Sequence, residues 1–129
     1  MSNKNPNDKK KFDLEERTAK FGENVIKLCK LVSRGPIAEP IIRQLVRAAI
    51  SVGANYCEAD CAESRKDFEH KIGISKKEAK ESKHHLRMLA QVAPNLKDQI
   101  KVLWKEANEL NLIFTSIVKK SRLNSKKEN

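Results

Sequence analysis

The sequence predicts an all-α fold in which four helices pack as an antiparallel, up-down-up-down four-helix bundle. Three observations favour this fold class. Apolar residues recur at helical spacing in four long segments, the breaks between the segments are short, and no segment shows the alternation of a strand. Because short connections make successive helices antiparallel neighbours, the up-down-up-down order is the simplest arrangement of four such helices.

The first predicted helix begins at Asp13, an N-cap residue whose capping-box partner is Glu16. It ends near Ser33, before the break at Gly35 and Pro36. Its inward face carries large apolar side chains at successive spacings of seven, four, three and four residues, namely Leu14, Phe21, Val25, Leu28 and Val32.

The second predicted helix, Ile41–Ala62, is the stretch around which the chain is organised, and Pro40 serves as its early-turn proline. Its polar residues gather on one side, so its apolar arc is wider than the stripe of about 100° that covers a single core. The extra width of the apolar arc predicts either a central position for this helix in the bundle or a contact of this helix with another subunit. Gly53 lies inside this arc. Because glycine in a helix interior is ~1 kcal/mol less favourable than alanine, its presence there indicates close approach of another backbone.

Ser64, with Asp67 three residues later, is the predicted cap of the third helix. Small side chains in the middle of this helix predict close packing of a neighbour. The inward positions are Phe68, Ile72, Ser75, Ala79, Ser82, Leu86 and Leu89. After a break at Ala93 and Pro94, Asn95 caps the fourth helix, whose inward face is Leu96, Ile100, Leu103, Ala107, Leu110, Phe114 and Ile117.

Composition predicts one bundle domain over residues 12–120 between two disordered basic tails, residues 1–11 and 121–129. The formal net charge is +10, and much of it lies near the two ends of the chain. Basic tails are typical of nucleic-acid binding, but solubility alone is an equally good explanation.

The polar N-terminus predicts a cytoplasmic protein without a secretory signal. No membrane span is expected, because the longest uncharged stretch of the second helix, Ala48–Cys57, is too short to cross a bilayer. Three cysteines, an odd number, argue against a disulfide framework and favour buried free thiols.

Glutamates from several helices fall at one level of the predicted bundle, where Glu78 lies beside Arg47 and Ser51 on one side and Glu106 on the other. A di-iron site would need two Glu-x-x-His pairs, and the sequence has one, Glu81 to His84. We therefore predict a structural polar cluster and no metal site, cofactor or catalytic residue. Its members are Arg47, Ser51, Asn55, Glu58, Glu78, Glu81 and Glu106.

Enzymatic activity is not expected, because the histidines lack a nucleophile motif and there is no glycine-rich phosphate loop. One surface feature is compatible with nucleic-acid binding: Lys76, Lys80, Lys83 and Arg87 form a basic stripe on the third helix, opposite its apolar side. A solubilising surface would carry the same pattern.

Two segments of the chain carry a family resemblance: RAAISVGANYCEA at 47–59, which is similar to the signature RAA-small-S-x-x-x-N-x-x-E-(A/G), and KKEAKESKHHLRML at 76–89. They resemble the helix 2 signature and the helix 3 pattern of the four-helix proteins encoded in intervening sequences of bacterial 23S ribosomal RNA genes. The resemblance covers about residues 12–120. It implies a barrel-like homopentamer related to the accessory variability determinant of diversity-generating retroelements, a basic pentamer that binds nucleic acid and a reverse transcriptase.

Three functions remain open from the sequence. The first is a non-enzymatic RNA-binding oligomer acting on ribosomal RNA or its intervening sequence, favoured by charge and by the resemblance. The second is an adaptor for a reverse transcriptase or another protein partner. The third is a purely structural oligomer whose charge serves solubility.

Overall fold

The structure, a computed structural model, describes the backbone of residues 6–128 and the side chains of residues 14–126. The described chain is all-α and contains no strand. Its helices are α1 (Pro6–Cys29), α2 (Ala38–Asp60), α3 (Arg65–Val92) and α4 (Lys97–Glu128), and a 3₁₀ turn, Pro94–Leu96, precedes α4. The predicted all-α fold of four helices is confirmed.

Each helix packs on two neighbours. α2 lies against α1 and α3, and α4 lies against α3 and α1. Ion pairs join late residues of α2 to early residues of α3, as in Glu58–Lys71, and earlier residues of α2 to later residues of α3, as in Arg47–Glu81. This order is the one expected of antiparallel neighbours.

The interior contains the apolar faces predicted for all four helices. α3 contributes Ile72, Leu86 and Leu89 with small residues between them, and α4 contributes large side chains such as Leu110 and Phe114. The small residues in the middle of α3 are Ser75, Ala79 and Ser82, all fully buried. Because they take little space, α2 packs closely on α3, and the Ser75 hydroxyl donates to the carbonyl oxygen of Val52 at 2.9 Å.

Gly53 permits the close approach of α1 and α2, as its position in the sequence predicts. A methyl group at Gly53 would lie 3.3 Å from Oγ1 of Thr18 and 3.5 Å from the Thr18 backbone carbon. Thr18 is itself buried, and its hydroxyl donates to the carbonyl oxygen of Glu15 at 3.1 Å. The glycine therefore makes room for a buried, hydrogen-bonded threonine.

The helix ends agree with the sequence at α3 and differ elsewhere. Ser64 caps α3, and its Oγ accepts a hydrogen bond from the backbone N–H of Asp67 at 3.0 Å. α1 begins at Pro6 instead of Asp13, and Asn95 lies inside the 3₁₀ turn, so α4 starts at Lys97.

α4 continues through residues 121–128, which the sequence predicts to be a disordered tail. Glu69 of α3 explains this extension, because its Oε2 accepts a hydrogen bond from Ser121 Oγ at 2.6 Å and its Oε1 lies 3.7 Å from Nε of Arg122. These contacts join sequence-distant residues that composition cannot pair. The predicted N-terminal tail falls partly on residues 1–5, which lie outside the described residues.

The three cysteines are free, and they differ in environment. Cys29 is buried, as predicted, and burial raises the pKa of its thiol to about 11. Cys57 and Cys61 are exposed, so the prediction of buried thiols is wrong for these two. Cys57 belongs to the apolar arc of α2, but it lies on a part of that arc that no other helix covers. None of the described helices is long and apolar enough to span a membrane.

Two glycines of the bundle should respond oppositely to substitution. We expect Gly53→Leu to lower the free energy of unfolding by about 1–3 kcal/mol, because the added side chain meets Thr18. Gly73 of α3 has no atom within 4 Å of a would-be methyl group, so Gly73→Ala should raise the free energy of unfolding by about 0.4–1 kcal/mol. Urea denaturation measures both changes, and a stabilising Gly53→Leu would contradict the packing described.

Candidate nucleic-acid interface

Basic side chains line a groove of about 610 Å³ between α3 and α4, which we call the basic groove. Both helices contribute cations, whereas Glu69 is the single acidic residue of the lining. The cations are Lys76, Lys77 and Lys80 from α3 and Lys119, Arg122 and Lys126 from α4. Such a surface attracts anions and repels other cationic surfaces.

Helical spacing places these cations on facing sides of the two helices. On α3, Gly73, Lys76, Lys77 and Lys80 recur at intervals of three and four residues and share one face. On α4, the intervals from Lys119 through Arg122 to Lys126 are again three and four. The contacts of Glu69 with Ser121 and Arg122 hold the last turns of α4 beside the start of α3.

The basic groove also contains apolar surface that no other part of the described chain covers. Val118 and Leu123 both line the groove. Val118 is partly buried against the core, whereas Leu123 is 52% exposed. The groove therefore combines cations with an apolar wall, a combination that suits an anionic ligand with an apolar portion.

The structure divides the basic stripe predicted from sequence. Lys76 and Lys80 line the basic groove. Lys83 turns toward α4, where its Nζ donates to Oδ1 of Asn108 at 2.8 Å and lies 5.0 Å from the centre of the Trp104 ring. Arg87 is exposed and lies outside the groove lining.

The stripe predicted from sequence includes two of the six groove cations, Lys76 and Lys80. Lys119, Arg122 and Lys126 fall in or beside the segment predicted to be a disordered tail, and Lys77 lies beside the predicted stripe. The spacing of the α4 cations at three and four residues was a usable signal, because it continues the helical period beyond Ile117.

A second pocket, between α2 and α3, extends the basic surface. It has a volume of about 580 Å³, and we call it the α2–α3 pocket. Lys77 and Lys80 line both this pocket and the basic groove, so the two surfaces are continuous across α3. Its other lining residues are Gln44, Arg47, Glu81, His84 and His85. Burial and the neighbouring His84 lower the pKa of His85, which disfavours its cationic form.

The predicted polar cluster is separated into several local groups. Between α2 and α3, Arg47 Nη1 lies 3.5 Å from Glu78 Oε2, and its Nη2 lies 3.4 Å from Glu81 Oε2. The Glu78 side chain is 6% exposed, and its Oε2 has no hydrogen-bond partner among the described residues. Asn55 Nδ2 donates to the carbonyl oxygen of Ser51 within α2.

Glu106 does not join Glu78, because it faces α1. Its carboxylate accepts two hydrogen bonds from Arg17, each at 2.8 Å, and Glu109 lies 3.1 Å from the same guanidinium. These two carboxylates raise the pKa of Arg17. Glu58 pairs with Lys71 at 3.6 Å. Each of these contacts is an ion pair, and within the described part of the chain no three His, Cys, Asp or Glu residues are grouped to hold a metal ion.

An apolar groove of about 720 Å³ lies between α1 and α2 and is here named the α1–α2 groove. Small residues form much of it, including Ala19, Gly22 and Ala54, and Ile50 of α2 is 49% exposed there. Its charged lining residues are all acidic: Glu15, Glu16 and Glu23. This is the part of the wide apolar arc of α2 that the bundle itself does not cover.

The chain is similar to one protein-family model and to a solved structure. Residues 10–116 match the family model described as 23S rRNA-intervening sequence protein. The chain is also similar to a crystal structure of a protein with unknown function from the S23 ribosomal protein family, from Bacteroides thetaiotaomicron. The two chains share 28% sequence identity with a TM-score of 0.71, over 82% of this chain and 98% of that chain. No curated protein matches the chain.

The Arg17–Glu106 pair should couple more strongly than an exposed pair. Arg17 and Glu106 are 25% and 26% exposed and bond through two nitrogens, so a double-mutant cycle with alanine should give a coupling of about 1–2 kcal/mol in the free energy of unfolding. Arg34 and Glu39 provide the control, because Nη1 of Arg34 donates to both carboxylate oxygens of Glu39 but the pair lies in solvent, where screening removes most of the coupling. Equal couplings for the two pairs would contradict this ranking.

Proposed function

The chain belongs to the family of 23S rRNA-intervening sequence proteins, and we propose that it is a non-enzymatic, cytoplasmic protein that binds ribosomal RNA or its intervening sequence. The observation that carries this proposal is the basic groove. Six cations from two helices face one concave surface, and a single carboxylate, Glu69, lies among them.

The physical basis of the proposed binding is counterion release. Each phosphate that a cation neutralises frees a condensed counterion, so several cations on one surface give measurable affinity at physiological salt. Lys77 and Lys80 also line the α2–α3 pocket, which extends the cationic surface along α3. The net charge of +10 adds a long-range attraction for any polyanion.

We also propose that copies of this up-down-up-down bundle assemble into a barrel-like homopentamer. The α1–α2 groove supports self-association, because it leaves Ile50 and a surface of small residues uncovered in a single chain. Closed cyclic symmetry would place this groove against a different surface of the next copy. The number five rests on the resemblance to the family.

RNA binding can be tested by removing four charges from the basic groove. We expect replacement of Lys80, Lys119, Arg122 and Lys126 by glutamine to weaken RNA binding at ~150 mM salt. The slope of log affinity against log salt should fall by roughly 0.7 for each phosphate of a single strand that the variant no longer neutralises. Fluorescence anisotropy with a labelled RNA oligonucleotide measures both quantities.

The matched control removes the same number of charges elsewhere. Lys20, Lys27, Lys30 and Lys105 are exposed, and three of them lie on α1 or just after it, the helix that does not pack on α3 in the described bundle. Their replacement by glutamine should change RNA affinity much less than the groove variant does. Equal losses of affinity in both variants would mean that overall charge alone governs binding. Absence of binding by the parent would favour an adaptor or structural role.

Self-association can be tested at Ile50. We expect Ile50→Lys to dissociate the oligomer, because a charge would then lie in the apolar contact. Leu31→Lys changes an apolar residue that is also exposed, 59% against 49% for Ile50, but lies outside the α1–α2 groove, and it should leave the assembly intact. Light scattering at micromolar concentration measures both masses. A monomeric parent would overturn the oligomer, and a parent of another size would overturn only the number five.

A further inference from the structure

Gly73 creates an opening in the basic groove that the packing of the described chain does not explain. It lies in the middle of α3, where glycine is unfavourable, and its φ is not positive. A methyl group there would meet no atom within 4 Å, whereas one at Gly53 or Gly22 would contact a neighbouring helix. The missing side chain therefore provides empty space inside the groove.

Apolar and planar groups surround this opening. Leu123, which is 52% exposed, and Val118 line the same groove on the α4 side. The side chain of Arg122, which lines the groove on that side as well, is 71% exposed, and its Nε lies 3.7 Å from Oε1 of Glu69. Planar guanidinium groups and apolar side chains are surfaces on which unpaired bases stack.

We propose that the basic groove binds single-stranded RNA, with an unpaired base entering the opening at Gly73 against Leu123 and the adjoining phosphates on the surrounding lysines. This inference rests on the proposed function and specifies its ligand. The space of about 610 Å³ is of the size that holds small organic groups.

A duplex fits these observations less well. In double-stranded RNA the bases are stacked and paired, the major groove is too deep and narrow for side chains, and proteins contact mainly phosphates and 2′-hydroxyls. A cleft between two neighbouring helices is concave, so a duplex would contact its cationic rims and leave Leu123 uncovered. A single strand satisfies the cations and the apolar wall together.

The carboxylate of Glu69 favours the same assignment. It lies one turn before Gly73 on the same face of α3, and it repels phosphate from this end of the groove. Carboxylate oxygens accept hydrogen bonds from the amino groups of bases. The part of the groove beside Glu69 and Gly73 is therefore better suited to a base than to the RNA backbone, whereas Lys77 and Lys80, one and two turns past Gly73 on α3, suit phosphates.

The test compares Gly73→Leu with the parent on two ligands of equal length, a single-stranded RNA and a duplex, at ~150 mM salt. We expect Gly73→Leu to fill the opening and weaken single-strand binding by about tenfold or more, while duplex binding stays unchanged because no lysine is removed. Gln91→Leu is the matched control, since it adds an equal apolar side chain at an exposed position of α3 outside the groove, and it should change neither affinity. Circular dichroism checks that each variant is folded.

Leu123→Gln provides an independent variant that fills no space. It removes the apolar wall without changing charge, and it should weaken single-strand binding in the same direction. Unchanged single-strand binding in both variants would overturn the base site while leaving RNA binding intact. Equal losses of affinity for single strand and duplex would assign the groove to the backbone alone. A parent that binds neither RNA would overturn the proposed function and this inference together.

Discussion

The close packing of α2 on α3 is the constraint on which the rest of the structure depends. Ser75, Ala79 and Ser82 leave the inner face of α3 thin, and the hydroxyl of Ser75 is satisfied by the carbonyl of Val52. A longer side chain at these positions would separate the helices, because protein interiors have few voids that can absorb extra volume. With α3 fixed against α2, its lysines are confined to the outer face and its edges.

The basic groove also depends on the last turns of α4 being held beside α3. Its last turns are rich in Lys, Ser and Asn, a composition that does not stabilise a helix by core packing. Glu69 supplies the missing interaction by accepting a hydrogen bond from Ser121 and attracting Arg122. One carboxylate therefore keeps the cations of α4 beside those of α3 and partly offsets their mutual repulsion.

Sequence periodicity predicted the interior faces, the Ser64 cap and the role of Gly53, because these depend on spacing within one helix and on local backbone chemistry. It failed where the outcome depends on rotation about a helix axis or on a distant partner. Glu106 is predicted from sequence to lie beside Glu78, but it faces α1 and binds Arg17. The α4 cations of the basic groove were assigned to a disordered tail or its edge for the same reason, since the contact that holds the end of α4 beside α3 joins residues 52 positions apart.

The α1–α2 groove is lined by glutamates and the basic groove mainly by cations, so the proposed self-association and the proposed RNA binding use surfaces of opposite charge. Copies with a net charge of +10 repel one another, so a contact between them is least costly where one surface is acidic, as at Glu15, Glu16 and Glu23 of the α1–α2 groove. The same glutamates repel RNA and leave the basic groove as its binding surface. The two grooves lie between different pairs of helices and have no lining residue in common. If RNA in the basic groove neutralises part of the charge that opposes the proposed assembly, linkage requires that assembly strengthen RNA binding to the same extent.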